Sequence, residues 1–309
     1  MKIRLNLDAL LVLDVVARSQ SFAAAADELH RVPSSVTYTI KKLEQNLGVT
    51  LFDRQGHRAQ LTPTGEALLK EGRDLLNLSD RIERNIMRIE TGWEAEFHLA
   101  VSDLLPHERV FSLCEEFYQI APETRLSLST EVLAGTWDAL LSGRADFVIG
   151  APGDGPPGGG YASSYLGDVE FVFAVAPDHP LAQSQEPLRQ NEIRRYRAVA
   201  AADSSRSLPS ITFGLLSGQN VLTVPNLQMK RQAQIRGLGV GYLPVHLIRH
   251  DIDAGRLVVK TTEDGESSVH AIRYAWHSNH HGKAMEWFKQ RLTTDQSNYD
   301  WFDNLSFSI

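Results

Sequence analysis

Six side chains between positions 34 and 42 have the types and spacing to meet a polyanion from one side of a helix. They are Ser34, Ser35, Thr37, Tyr38, Lys41 and Lys42. Short hydroxyls and a phenol reach base edges or phosphate oxygens, and two ammonium groups neutralise phosphate charge. Val36, Ile40, Leu43 and Leu47 recur at helical spacing and mark the stripe that must be buried. One carboxylate, Glu44, sits only at the far end. A solvated helix face would have the same composition. The next ten residues favour a nucleic acid, because Gly48 can end the helix and the turn-like segment 52–58 sets Arg54 and Arg58 beside it for adjacent phosphates.

The elements that must position these residues carry their own start signals. Asn6 can cap a first helix bearing Leu7, Leu10, Leu11, Leu13, Val16 and Ala17. Ser21 can cap a second, opening at Phe22 and running through four alanines small enough for another helix to approach. Pro33 suits the first turn of the third, where a missing amide hydrogen costs little. A helix-turn-helix followed by a basic wing is a coherent unit for docking in a major groove.

Phe22 with the alanine run, Val36-Thr37, Ile40, Leu43-Glu44, Leu47-Gly48, Leu51-Phe52, Arg54 and Leu61-Thr62-Pro63-Thr64-Gly65 together resemble the N-terminal signature of LysR-type transcriptional regulators, over about sixty residues. Pro33 stands where many members carry a glutamine, so no base contact of that glutamine transfers. The resemblance implies a winged helix-turn-helix at 1–62, a linker and dimerisation helix at 63–93, and an effector-binding domain at 94–309. It further implies that this last part is two α/β subdomains arranged like a periplasmic solute-binding protein. They would comprise about 94–167 plus 268–309, and about 168–267, with an effector in the cleft between them. Double-stranded DNA and a small-molecule effector are the implied partners, in a homodimer and, through two such dimers, a homotetramer.

The net charge of −7 argues against a nucleic-acid binder until it is divided along the chain. Residues 1–64 hold eight Lys/Arg against six Asp/Glu, while 94–309 hold eighteen against twenty-six. The small positive excess lies in the head, so paired heads are expected to supply the affinity. The one cysteine, Cys114, excludes an intrachain disulfide and points to a reducing compartment and a buried thiol. Asp8 and Asp14 interrupt the first apolar run, and no stretch approaches the roughly 20 apolar residues that cross a bilayer, so the expected location is cytoplasmic.

From Pro63 a long helix is expected, with inner positions Leu68, Gly72, Leu75, Ser79, Ile82, Ile86, Ile89 and Trp93 stepping by four and three. About 30 residues would reach roughly 45 Å, too long for one small domain to cover, and the economical partner is the same helix of a second copy. Strands and helices alternate beyond Gly92, which predicts a parallel sheet with crossover helices. The glycine-rich 153–160 lacks a Lys-Ser/Thr pair and opens no helix, so it is read as a loop and not a P-loop. The aromatic tail with Tyr299, Trp301 and Phe302 is expected to dock on the body.

In open parallel sheets ligands collect beyond the carboxyl ends of strands. That rule selects Ser102 and Asp103, Glu131, the turn at Ala151, and Asp203, Ser204 and Arg206. Three have a plain alternative: a helix cap for Ser102, a solvated strand end for Glu131, a pair with Asp203 for Arg206. Trp137 could stack on a planar ligand or belong to the core. Two stretches, 131–140 (EVLAGTWDAL) and 203–209 (DSSRSLP), resemble the branch of the family that responds to purine nucleosides, allantoin and aromatic compounds, which implies a purine, ureide or small aromatic effector. Enzyme motifs such as G-x-S-x-G and HExxH are missing, and His277, His280 and His281 stand in a loop-like context that suits solvent better than zinc, so neither catalysis, a metal nor a cofactor is expected. A solute-binding receptor without a transcriptional role is the alternative for the C-terminal half.

Overall fold

The computed structural model describes residues 5–53, 59–279, 282–294 and 301–302, with only the backbone course at 81, 84–91 and 294. The chain divides into a unit of residues 1–86 and a unit of residues 87–309.

The first unit is built by three helices. In α1 (Leu7–Ser19) the Asn6 side chain accepts from the Ala9 amide, and in α2 (Phe22–Glu28) Ser21 accepts from the Ala24 amide, so both sequence-derived caps form. Pro33 opens α3 (Pro33–Leu47), and Gly48 closes it in the left-handed region at φ 73°. Val36, Ile40 and Leu43 pack with Leu13, Val16 and Ala25 in one core, and Phe52 of β1 (Phe52–Asp53) meets Phe22 edge to face at 5.4 Å. β1 pairs antiparallel with β2 (Gln60–Leu61), forming the base of the wing. The long α4 (Pro63–Thr91) comes after it.

The second unit opens with β3 (Glu96–Ser102), α5 (His107–Ile120), β4 (Arg125–Glu131), α6 (Gly135–Leu141) and β5 (Phe147–Pro152). Here the expected crossover pattern holds, with β3 parallel to both β4 and β5. It does not hold for the long β6 (Tyr161–Val175), whose strand signal in the sequence starts only at residue 170. The first half of β6 is half-exposed and lacks the apolar run that marks a buried strand. A 3-10 turn (Pro180–Gln183), α7 (Gln190–Ile193), β7 (Ala198–Ala201), β8 (Val221–Val224), α8 (Leu227–Ile235) and β9 (Gly241–Pro244) come next. Last are α9 (Val245–Asp253), β10 (Val258–Lys260), β11 (Ser267–His277) and α10 (Lys283–Thr294). Pro244 signals only a turn in the sequence, yet α9 forms there because Val245 and Ile248 bury its inner face.

The principal sheet runs β10-β6-β11-β5-β3-β4, with β9 also paired to β6, and is mixed where the alternation of elements predicts a parallel sheet. β11 returns antiparallel to both β5 and β6, and β9 and β10 are antiparallel to β6. The parallel pair β7-β8 forms a second small sheet, bridged to the residue before β9 through Ala198 and Val240. β6 and β11 pair over eleven residues of β11, so the same two strands serve both ends of the sheet and bind them into one body. Its largest core gathers Phe97, Phe117, Phe147, Tyr274 and Phe288 with Trp301 and Phe302, so the described part of the tail docks as expected. Tyr299 lies outside the described residues.

Candidate DNA interface and effector cleft

The outer face of α3 is exposed among the described residues. Ser34, Ser35, Tyr38, Lys41 and Lys42 are exposed, Tyr38 at 63 %, while Val36, Ile40 and Leu43 behind them are buried. Thr37 is half-buried and donates its hydroxyl back to the Pro33 carbonyl at 3.0 Å, which satisfies it within its own helix. The Lys42 ammonium lies 5.8 Å from the Tyr38 ring centroid, close enough to orient both side chains outward together. Glu44 borders the far end of this face, its carboxylate accepting from the Leu51 amide at 2.7 Å and tying α3 to the wing. Gln45 is exposed on the same side, four residues after Lys41, and is absent from the set of six that the sequence suggests. Its spacing from Lys41 and Lys42 is the signal that could have found it. Lys41, Gln45 and Thr50 border a shallow depression of about 510 Å³ at this end of the helix. Arg54 and Arg58 lie outside the described residues.

α4 carries the apolar surface that the seam requires, but not at every expected position. Leu75 and Ile82 are 42 % and 49 % exposed, with Leu78 beside them. Gly72 is buried, and a Cβ there would stand 3.0 Å from the Leu10 side chain, so this position faces the protein's own α1. Trp93 lies past the end of the helix and packs edge to face on Phe117 at 6.2 Å, with the Lys283 ammonium 5.7 Å from its ring. Ile86 and Ile89 fall where only the backbone is described.

The eight positions selected for the cleft separate into distinct roles. Ser102 ends β3 and is buried, and its Oγ accepts from the Leu104 amide at 3.3 Å within the turn; it caps no helix, since the N-cap of α5 is Pro106. Asp103 accepts from the Leu227 amide at 2.8 Å at the start of α8. Burial pushes its carboxyl up to about 6, against the pull of the Leu227 amide and of Lys230. Burial lowers the Lys230 ammonium, with Asp103 opposing. Trp137 is core: it donates to the Pro152 carbonyl at 2.8 Å, and its ring packs on Tyr161 at 4.9 Å. Ala151 is fully buried. These two positions therefore offer a ligand no side-chain surface.

Glu131, Asp203 and Ser204 come together, but as a clasp. The Ser204 hydroxyl donates to Glu131 Oε2 at 2.5 Å and accepts from the Val132 amide at 2.8 Å. Arg144 reaches Glu131 Oε1 at 2.5 Å and Asp138 Oδ2 at 2.9 Å. Asp138, only 2 % exposed, also accepts from the amides of Arg206, Ser207 and Leu208. Burial alone would raise the Asp138 carboxyl. The Arg144 guanidinium and the amides of Arg206 and Ser207 outweigh it and hold the group below the usual carboxylate range. Asp203 accepts from the amides of Ala134, Ser205 and Ile211. Gly135 makes room for this docking, since a Cβ there would overlap Ser204 Oγ. The Arg206 side chain points clear, its residue exposed, and does not pair with Asp203. Nothing in the sequence marks Asp138 and Arg144. Six residues apart, they share no helix face, and only the folded chain brings them together.

Cys114 is buried, and burial pushes its thiol up to about 11, as suits an inert core position. Among the described residues no group of His, Cys, Asp and Glu could hold a metal ion, and His280 and His281 lie outside them. No single described helix is long and apolar enough to cross a membrane.

Residues 7–66 match the model of the bacterial regulatory helix-turn-helix protein, lysR family, and residues 90–297 match that of the LysR substrate binding domain. The chain is 39 % identical over 291 residues to the uncharacterized HTH-type transcriptional regulator YeeY of Escherichia coli K12, covering 94 % of each. It is 41 % identical over 283 residues to the probable HTH-type transcriptional regulator YhaJ of the same strain, covering 92 % of this chain and 94 % of that one. In structure it is similar to full-length CbnR in complex with its target DNA, with a TM-score of 0.59 at 18 % identity over 94 % and 99 % of the two chains. Both matched models, the exposed polar face of α3 and the mixed α/β body lead to one conclusion: the chain belongs to the LysR family, as a DNA-binding transcriptional regulator with a C-terminal effector-binding domain.

Proposed function

We propose that two copies of this chain pair through α4 and present Ser34, Ser35, Tyr38, Lys41, Lys42 and Gln45 to the major groove of operator DNA, with Arg54 and Arg58 on flanking phosphates. Thr37 supports the start of the helix from within. The observation that carries this reading is the exposure of that face on a helix whose opposite side is fully committed to the core. On this reading the protein works in the cytoplasm and has no catalytic role, with four-copy assemblies formed from two dimers. The boundaries proposed for its parts are 1–62, 63–93 and 94–309, the last in two lobes of about 94–167 plus 268–309 and about 168–267.

The effector belongs beyond the carboxyl ends of β3 and β7, where the exposed Arg206 remains for a ligand. Glu131, Asp203 and Ser204 act as the clasp that positions Arg206. The likeness of 131–140 and 203–209 to one branch of the family supports a purine, ureide or small aromatic. Binding of full-length protein to duplex DNA, monitored by fluorescence anisotropy across a salt series, tests the head. Lys41→Ala with Lys42→Ala removes four lysines from the paired heads and should reduce the slope of log K against log salt by about 3.6, since each phosphate contact contributes about 0.9. An unchanged slope would remove α3 from the groove. A melting-temperature screen of purines, ureides and aromatics tests the effector class, since a ligand that binds the folded chain raises its midpoint.

A further inference from the structure

A cavity of about 310 Å³ stands apart from the cleft and is not used by the regulatory reading. Strand geometry builds its floor. Alternation along β6 puts Phe171 and Phe173 on one face, and the register pairs Phe173 with Tyr242 of β9 and Phe171 with Ser268 of β11. The opposite face, Val172 and Ala174, packs with Leu243, Val245 and Ile248 and is closed. The loop after β7 covers the open floor. Phe213 tilts against Phe171 at 4.7 Å and meets His270 edge to face at 4.8 Å. Gly214, at φ 68°, lies against the Tyr242 ring, where a Cβ would come within 2.5 Å of it.

Aromatic walls favour a flat molecule, and the polar groups say which kind. The cavity is lined by one carboxylate, Asp264, and by no lysine or arginine. Gln190 donates to both Asp264 oxygens at 3.2 and 3.3 Å and so fixes the carboxylate at the rim. The Tyr242 hydroxyl is taken by Thr262 at 3.1 Å. Ser268 Oγ is buried and has no hydrogen-bond partner among the described residues. A buried hydroxyl left unmatched is unfavourable, and an N–H donor entering beside it would relieve it. The volume lies at the lower end of the range of about 300–1,000 Å³ found for small-molecule sites, which limits the ring system to one or two fused rings.

We propose that this cavity is a second small-molecule site, specific for a planar amino-heterocycle whose ring lies against Phe213 and Tyr242 and whose N–H groups face Asp264 and Ser268. An arene carboxylate is disfavoured by the same lining, because its charge would meet Asp264 with no lysine or arginine to offset it, His270 being the one titratable nitrogen base there. The site stands independently of the cleft and of the effector class proposed there.

Isothermal titration calorimetry of the full-length chain with 2-aminobenzimidazole, and with 2-naphthoate as the anionic counterpart, tests this. The amine is expected to bind, and Asp264→Asn to weaken it by about tenfold, as loss of a charge-assisted hydrogen bond requires. Ser268→Leu, which fills the cavity, should abolish binding, and Arg206→Ala in the cleft should leave the dissociation constant unchanged. The naphthoate should bind at least about tenfold more weakly than the amine. Absence of binding at about 10 mM amine, tighter binding of the naphthoate, or sensitivity to Arg206→Ala but not to Asp264→Asn would each overturn the proposal. Should Ser268→Leu lower the melting temperature, the exposed Asp264→Asn decides alone.

Discussion

Asp138 and Asp103 of the second unit hold segments in place, and their environments differ enough to be told apart by pH. Asp138 and Glu131 share Arg144, and the Asp138 oxygens also receive three backbone amides from the loop after β7. Asp138→Ala would leave Arg144 with one partner and strip those amides of their acceptor. Breaking one side of a buried pair costs roughly 3–5 kcal/mol, and Arg144 keeps Glu131, so about 3 kcal/mol is expected in a urea titration of the whole chain. Asp103 behaves in the opposite sense. Its folded carboxyl is raised to about 6, so the folded state holds a proton that the unfolded state has released between about pH 4 and 6. The contribution of Asp103 to stability therefore falls as pH rises through that window. The difference in unfolding free energy between Asp103→Asn and the parent chain should shift in favour of the variant from pH 4 to pH 6, and then level.

Among the elements, α4 leaves part of its apolar surface uncovered in the single chain. Leu75, Leu78 and Ile82 succeed one another at three and four residues and remain exposed, while Gly72 and Leu69 on the inner side are buried. An apolar stripe on a helix of 29 residues needs a second helix to cover it. Leu75→Glu with Ile82→Glu is expected to shift sedimentation velocity from dimer to monomer and to leave the circular dichroism of the folded chain in place. Loss of helical signal at the same concentration would instead mean that these side chains hold the protomer itself. For α3 the relation is reversed, because its apolar stripe is already satisfied within the unit and its polar side is the one left over.

For the molecule as a whole, the consequence of pairing an operator-reading head with an effector-binding body is thermodynamic reciprocity. A ligand from the melting screen that changes operator affinity by some factor must bind the operator-loaded protein with affinity changed by that same factor. Calorimetric titration of the ligand with and without operator duplex should recover it, for any ligand of the cleft. The clasp shapes what form the response takes. With Ser204, Asp203 and the 206–208 amides tied to Glu131, Ala134 and Asp138, the segment next to Arg206 is fixed before any ligand arrives. A response by free opening and closing of this side would have to break that buried network first.

Much of the chain is legible in one dimension because the causes are local. The caps at Asn6 and Ser21, the first-turn proline at 33, the closing glycine at 48 and the apolar stripe of α3 act within a few residues, and each appears where the sequence puts it. The strand bounds at 96–102 and 221–224 are equally plain, being short apolar runs between breakers. Pairing across long separations is what the sequence alone could not decide. The antiparallel return of β11 beside β5 and β6, the half-buried start of β6, and the meeting of Glu131 with Ser204 across 73 positions leave no periodic trace. The same holds for the residues chosen for the cleft. A residue type at a strand end is visible in sequence, but whether its atoms are free for a ligand depends on which distant amides reach it first.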